Sequence, residues 1–151
     1  MDKPTRKIYP PVWLLFGLLA MFALDHFFAP NIQFPPVFPY LGGAAILLGI
    51  GLAVWAGGGF KKADTDMVPF KNVTALVTDG IYRYTRNPMY LGMALVLLGT
   101  ALLLSSLLAM LVIPVFLGVI QARFILPEEQ MLRELFGSDY EEYCRRVRRW
   151  L

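Results

Sequence analysis

MYLGMALVLLGTALLLSSLLAMLVIPVFLGVIQARFIL, residues 89–126, carries a single charge, Arg123, in two apolar runs parted only by Ser105-Ser106. At 1.5 Å per residue the runs 89–104 and 107–126 reach roughly 24–30 Å. That is close to the ~30 Å hydrocarbon thickness of a bilayer. Two serines between them leave room only for a tight bend, so the spacing predicts an antiparallel hairpin of membrane helices. Pro114 removes a backbone donor inside the second run and predicts a kink there.

Working outward, two further apolar runs, 12–28 and 38–58, precede the hairpin. Of the 151 residues 57% are hydrophobic and 17% charged, against about 25% charged in ordinary soluble domains. The predicted fold is all-α: a multi-pass membrane bundle of four transmembrane helices, forming one domain over residues 1–151. The runs 12–28 and 89–104 are short, so they are expected to stand upright or to be shielded by neighbours. Ala45, Gly49, Ala53 and Gly57 recur every four residues and predict a smooth seam for close helix packing.

The basic residues give the topology. Lys3, Arg6 and Lys7 precede the first run; Lys61, Lys62, Lys71, Arg83 and Arg86 lie between the second and third. Arg123, Arg133, Arg145, Arg146, Arg148 and Arg149 end or follow the fourth, which accounts for all 14 Lys and Arg residues. The connections 29–37 and 105–106 hold none. Both termini and the central loop are therefore expected in the cytoplasm. The net charge of +3 reads as topology and attraction to anionic membrane lipids, not as a nucleic-acid site. No A-x-A cleavage site follows the first run, so it is expected to be a retained span. One cysteine, Cys144, and one histidine, His26, leave no basis for an internal disulfide or a metal centre.

Chemistry concentrates in TDGIYRYTRNPMYLG, residues 78–92. It puts Arg83, Arg86, Asn87, Tyr82, Tyr84 and Tyr90 where the third apolar run begins. Asp79-Gly80 marks a turn and Pro88 suits the first turn of a helix. After Pro127, residues 128–149 are expected to form a cytoplasmic amphipathic helix interrupted at Gly137-Ser138. Glu128 and Glu129 stand at its start, where carboxylates favour the helix dipole. The hairpin makes the two cytoplasmic ends neighbours, so Arg83, Arg86, Asn87 and Tyr90 are expected near Arg123, Glu128 and Glu129. Such a site would suit a ligand with both a carboxylate and an ammonium, as in the methionine part of S-adenosylmethionine, with tyrosines free to face its sulfonium.

YRYTRNPMYLG (residues 82–92), the hairpin, and PEEQMLRELFGSDYEEYCRRV (residues 127–147) together resemble the membrane methyltransferases that include isoprenylcysteine carboxyl methyltransferases and phospholipid N-methyltransferases. The resemblance covers about the C-terminal half of the chain. It implies S-adenosylmethionine bound on the cytoplasmic side, between elements 78–92 and 123–147, and a lipid or prenylated acceptor entering from the bilayer. It implies cofactor contacts from Tyr82, Arg86, Asn87, Pro88, Tyr90 and Leu91, an ammonium contact from Glu128 or Glu129, and a lid of Phe136, Tyr140 and Tyr143. Asn87 stands where the family commonly has His, so no imidazolium is available there. Methyl transfer would be a direct displacement; Arg123 or Arg83 would orient a carboxylate acceptor, and Glu128 or Glu129 would assist an amine. A nicotinamide-dependent reductase of sterol or isoprenoid double bonds and a non-catalytic membrane scaffold are the alternatives. The residues do not decide between O- and N-methylation, nor the oligomeric state.

Overall fold

The computed structural model describes residues 9–28, 34–64 and 73–151. Lys3, Arg6, Lys7 and Lys71, four of the charges used for topology, lie outside the described residues. The chain is helical, without a strand among the described residues: α1 (Pro10–Phe28), α2 (Phe38–Lys62), a 3-10 turn (Gly80–Arg83), α3 (Pro88–Leu104), α4 (Leu107–Phe136) and α5 (Ser138–Arg146). Helices α1, α2 and α4 are long and apolar enough to cross a membrane, whereas α3 has 17 residues. The chain is an integral membrane protein. Its outer surface agrees: Leu15, Leu19, Phe22, Leu47, Leu48, Val54, Leu111 and Val115 are all exposed. A patch of that extent is untenable in water and ordinary in lipid.

Short α3 is shielded as its length requires. It contributes eight buried residues, from Pro88 to Ala101, while α1 and α2 contribute three each. Helix α2 packs along one side of it and α1 with α4 along another. The contact with α2 depends on paired glycines. A Cβ built on Gly49 would stand 2.5 Å from the Gly92 carbonyl oxygen, and Gly42 opposes Gly99 in the same way. The closest approaches therefore recur seven residues apart, at Gly42 and Gly49, and Ala53 of the four-residue stripe joins Gly49 against Gly92. Two nearly aligned helices meet again after two turns; a four-residue stripe drifts around the axis and leaves the partner.

The hairpin forms as expected. Ser105 takes a left-handed conformation (φ 52°), and the Ser106 hydroxyl accepts the Ala109 N–H at 3.2 Å to cap α4. Helix α4 then differs from expectation, because it does not end at residue 126. It runs on to Phe136, about 45 Å by its 30 residues, so its polar end projects beyond a bilayer core. Two prolines mark it without stopping it. The helix is interrupted at Leu111, next to Met110, whose carbonyl Pro114 cannot bond. Ahead of Pro127 the residues Gln121–Ile125 widen into a π-turn, where the Leu126 N–H reaches back to the Gln121 carbonyl. Gly137 (φ 49°) supplies the real break, turning the chain into α5.

Candidate functional site

The 3-10 turn sets the site's orientation. Gly80 (φ 62°) bends the chain so that Tyr82 points inward, its ring edge-on to Phe60 at 5.5 Å. The Tyr82 carbonyl accepts the Tyr143 hydroxyl at 2.7 Å, which fixes α5 to the turn. Arg83 goes the other way. Its guanidinium pairs with Asp79 at 3.1 Å, and both side chains are largely exposed.

Behind the turn, the C-terminal residues 147–150 lie as a strap across Thr85-Arg86-Asn87. The Arg86 N–H donates to the Arg148 carbonyl at 3.0 Å. The Arg149 carbonyl accepts from the Asn87 amide at 3.0 Å and from the Thr85 hydroxyl at 3.3 Å. Trp150 anchors the end through its indole N–H on Gln121, within the π-turn, at 3.1 Å. Side chains complete the clamp. Glu129, almost wholly buried, receives a bidentate Arg149 guanidinium at 2.8 Å on each oxygen, Arg86 at 3.3 Å, and the outer edge of Arg133 at 3.9 Å. Hydrogen bonding to Glu129 raises the pKa of Arg149 above its ordinary value. Three guanidiniums on one carboxylate leave the site with surplus positive charge.

Arg86 is the member that looks onward. Its Nη1 reaches Glu129, the Tyr140 hydroxyl (3.3 Å) and the Cys144 sulfur. Its Nε is buried and has no hydrogen-bond partner among the described residues. A buried unpaired donor costs on the order of 1–3 kcal/mol, so it reads as a place for a ligand acceptor. Glu128 is its complement. It accepts the Tyr90 hydroxyl at 3.3 Å and takes part in no ion pair among the described residues.

Two cavities meet at these groups. One, about 230 Å³, lies between Tyr9, Pro10, Pro11, Met89 and Met93. The other, about 60 Å³, lies against Leu132, Tyr140 and Tyr143. Phe60, Tyr82, Arg86, Asn87 and Glu128 line both, so the two chambers share a wall that holds both Arg86 and Glu128. Burial raises the pKa values of Tyr82, Tyr140 and Tyr143, and the nearby Glu128 adds to the effect at Tyr82. The three phenols thus stay neutral and able to donate.

Of the residues singled out in the sequence, Tyr82, Arg86, Asn87, Pro88, Tyr90, Glu128, Glu129, Tyr140 and Tyr143 all border these cavities. Phe136 packs against the apolar cluster that holds Tyr140 and Tyr143. Leu91, Arg83 and Arg123 line neither cavity; the Arg123 guanidinium sits 5.6 Å from the Trp13 ring of α1. Phe60, Leu132, Cys144 and Arg149 were not singled out. Arg149 sits in RRVRRW, a run whose positive charges have a sufficient explanation in membrane topology.

Comparison with known proteins gives the family. A family model described as phospholipid methyltransferase matches residues 37–139. The protein-S-isoprenylcysteine O-methyltransferase of Schizosaccharomyces pombe is 40% identical over 72 residues, 48% of this chain and 30% of that protein. A probable protein-S-isoprenylcysteine O-methyltransferase of Oryza sativa subsp. japonica is 32% identical over 80 residues, 53% of this chain and 42% of its own length. An uncharacterized protein of Haemophilus influenzae matches over its entire length, at 43% identity over 63 residues, 42% of this chain. The chain spans less than half the length of the named methyltransferases it matches. Since the family model covers more than half of the residues, and the clamp and both cavities draw on that stretch, the chain belongs to the phospholipid methyltransferase family.

Proposed function

We propose that the chain is an S-adenosylmethionine-dependent methyltransferase that modifies a lipid or prenylated acceptor at the cytoplasmic face of a membrane. The observation that carries this reading is the shared wall, with one unsatisfied donor on Arg86 and one carboxylate without a cation on Glu128. A zwitterionic amino-acid end needs that pair: Arg86 for its carboxylate and Glu128 for its ammonium. Glu129 is less suited to the ammonium, because Arg149 and Arg86 already occupy it. Tyr140, Tyr143 and Leu132 offer a partly apolar bed for the rest of the donor. The cytoplasmic cavity is small, so much of a nucleoside ligand would rest on its open rim.

The sulfonium supplies an already activated methyl group when bound. The residues of this chain bind and orient the donor's two charges, and Phe60 and Tyr82 keep water from the junction of the chambers. The membrane-facing chamber, walled by Met89, Met93 and two prolines, would take the apolar part of the acceptor. In the full arrangement four helices span the bilayer with both termini in the cytoplasm, and α3, although short, crosses inside its shield of neighbours.

Isothermal titration of detergent-purified protein with S-adenosylhomocysteine tests the donor, and labelled methyl transfer into membrane lipid extracts, read by mass spectrometry, tests the acceptor. Folded protein that ignores S-adenosylhomocysteine but is stabilised by NADPH would overturn the reading in favour of a reductase.

A further inference from the structure

We infer that Arg149, on the C-terminal strap, is a positioning residue of the donor site: it saturates Glu129 so that Arg86 remains available to the ligand. The inference rests on the methyltransferase reading for its ligand, but its physical basis is the competition for one carboxylate. Arg149 holds both oxygens of Glu129 at 2.8 Å, while Arg86 touches one of them at 3.3 Å. Bidentate pairing is the stronger geometry, so Arg149 takes precedence. Arg86 is left spreading a single nitrogen over Glu129, Tyr140 and Cys144, with Nε uncommitted beside both cavities.

Without the Arg149 guanidinium, both Glu129 oxygens stand open in a buried site, and Arg86 is the nearest well-buried cation. Its own bidentate pairing with Glu129 would turn the guanidinium away from the chambers and remove the donor that the ligand carboxylate requires. The strap itself would survive, because backbone carbonyls of Arg148 and Arg149 hold Arg86 and Asn87, and Trp150 holds Gln121. Arg133 cannot substitute: it reaches Glu129 only at 3.9 Å, from an exposed position.

Three measurements on the full chain test this. Arg149→Gln is expected to weaken S-adenosylhomocysteine binding, and to raise the donor's KM, by about tenfold or more, while kcat at saturating donor stays within about twofold. Arg149→Lys, which keeps the charge but not the fork, falls between. A purely structural role would instead lower kcat with the fraction of folded enzyme and leave KM alone. The double variant Glu129→Gln/Arg149→Gln removes the competitor and is expected to recover binding to within about threefold of wild type. A double variant as weak as Arg149→Gln overturns the inference.

The third measurement needs no ligand. Cys144 is the only cysteine, and Arg86 lies against its sulfur. Withdrawal of Arg86 in Arg149→Gln is expected to raise the rate of iodoacetamide labelling by about threefold or more, since it uncovers the sulfur that the guanidinium lies against. An unchanged rate overturns the inference. If wild-type protein fails to bind S-adenosylhomocysteine, the functional reading falls, and the labelling rate still decides whether Arg149 sets the position of Arg86.

Discussion

The glycine seam between α2 and α3 and the arginine–glutamate clamp under the strap solve opposite problems. The seam joins two helices in a solvent as apolar as their own side chains, so it gains nothing from hiding apolar surface and depends on close backbone approach. The clamp gathers charges where water ends, so it depends on matched hydrogen bonds and counts every unpaired group. Seam residues are replaceable by nothing larger than themselves. No clamp residue is replaceable singly by one of different charge without loss.

The largest effect is expected in the clamp. Glu129→Ala leaves Arg86, which is 11% exposed, and Arg149 facing each other without their shared carboxylate. Removing one partner of a buried ionic network costs about 3–5 kcal/mol, read as a loss of thermal stability in detergent. The seam should follow closely. Gly49→Leu has no room, because the obstacle is the Gly92 carbonyl and not a flexible side chain. Overpacking against backbone is expected to cost about 3 kcal/mol. Gly51→Leu, whose position has nothing within 4 Å, serves as its control and should melt with wild type. If both glycine variants behave alike, the seam is not the contact that joins α2 to α3.

Binding and stability should separate at the two adjacent glutamates. Glu128→Gln keeps the acceptor for Tyr90 but removes the charge offered to an ammonium. Loss of one charge-assisted hydrogen bond, ~2 kcal/mol, corresponds to S-adenosylhomocysteine binding about 30-fold weaker with the melting temperature nearly unchanged. Equal loss of binding and stability at Glu128 would make it another member of the clamp. Tyr143→Phe is a smaller case, expected to cost ~1 kcal/mol of stability, since it deletes one buried hydrogen bond, to the Tyr82 carbonyl.

The contrast also explains what the sequence makes legible. The hairpin is plain because two apolar runs flank two serines, and the gathering of Arg86, Asn87, Tyr90, Glu128 and Glu129 follows from that hairpin alone. The place of closest approach is hidden, since the four-residue stripe includes Gly49 and Ala53 but omits Gly42, which opposes Gly99. The length of α4 is hidden too. Pro127 is a reliable stop signal only where no π-turn can absorb its missing donor, and Gln121–Ile125 supplies one. Arg149 is the least legible residue of all. Nothing in this run of arginines distinguishes the one that folds back onto Glu129 from its neighbours.

Arg83 supplies the last and smallest test, because sequence position alone makes it the equal of Arg86. Only Tyr84 and Thr85 separate them in the same basic stretch, and both arginines were expected at the cytoplasmic mouth beside the glutamates. The turn at Gly80 sends them apart: among the described residues Arg83 pairs only with Asp79, with side chains 70% and 85% exposed. Exposed pairs of this kind contribute about 0–1 kcal/mol, screened further by salt. Arg83→Ala is therefore expected to leave stability, S-adenosylhomocysteine affinity and methyl transfer within about twofold of wild type. Arg86→Ala under the same conditions should abolish donor binding. A loss of turnover in Arg83→Ala at saturating donor, with the fold intact, would show that this side chain swings inward to meet the acceptor. The difference between the two arginines would then be one of timing and not of place.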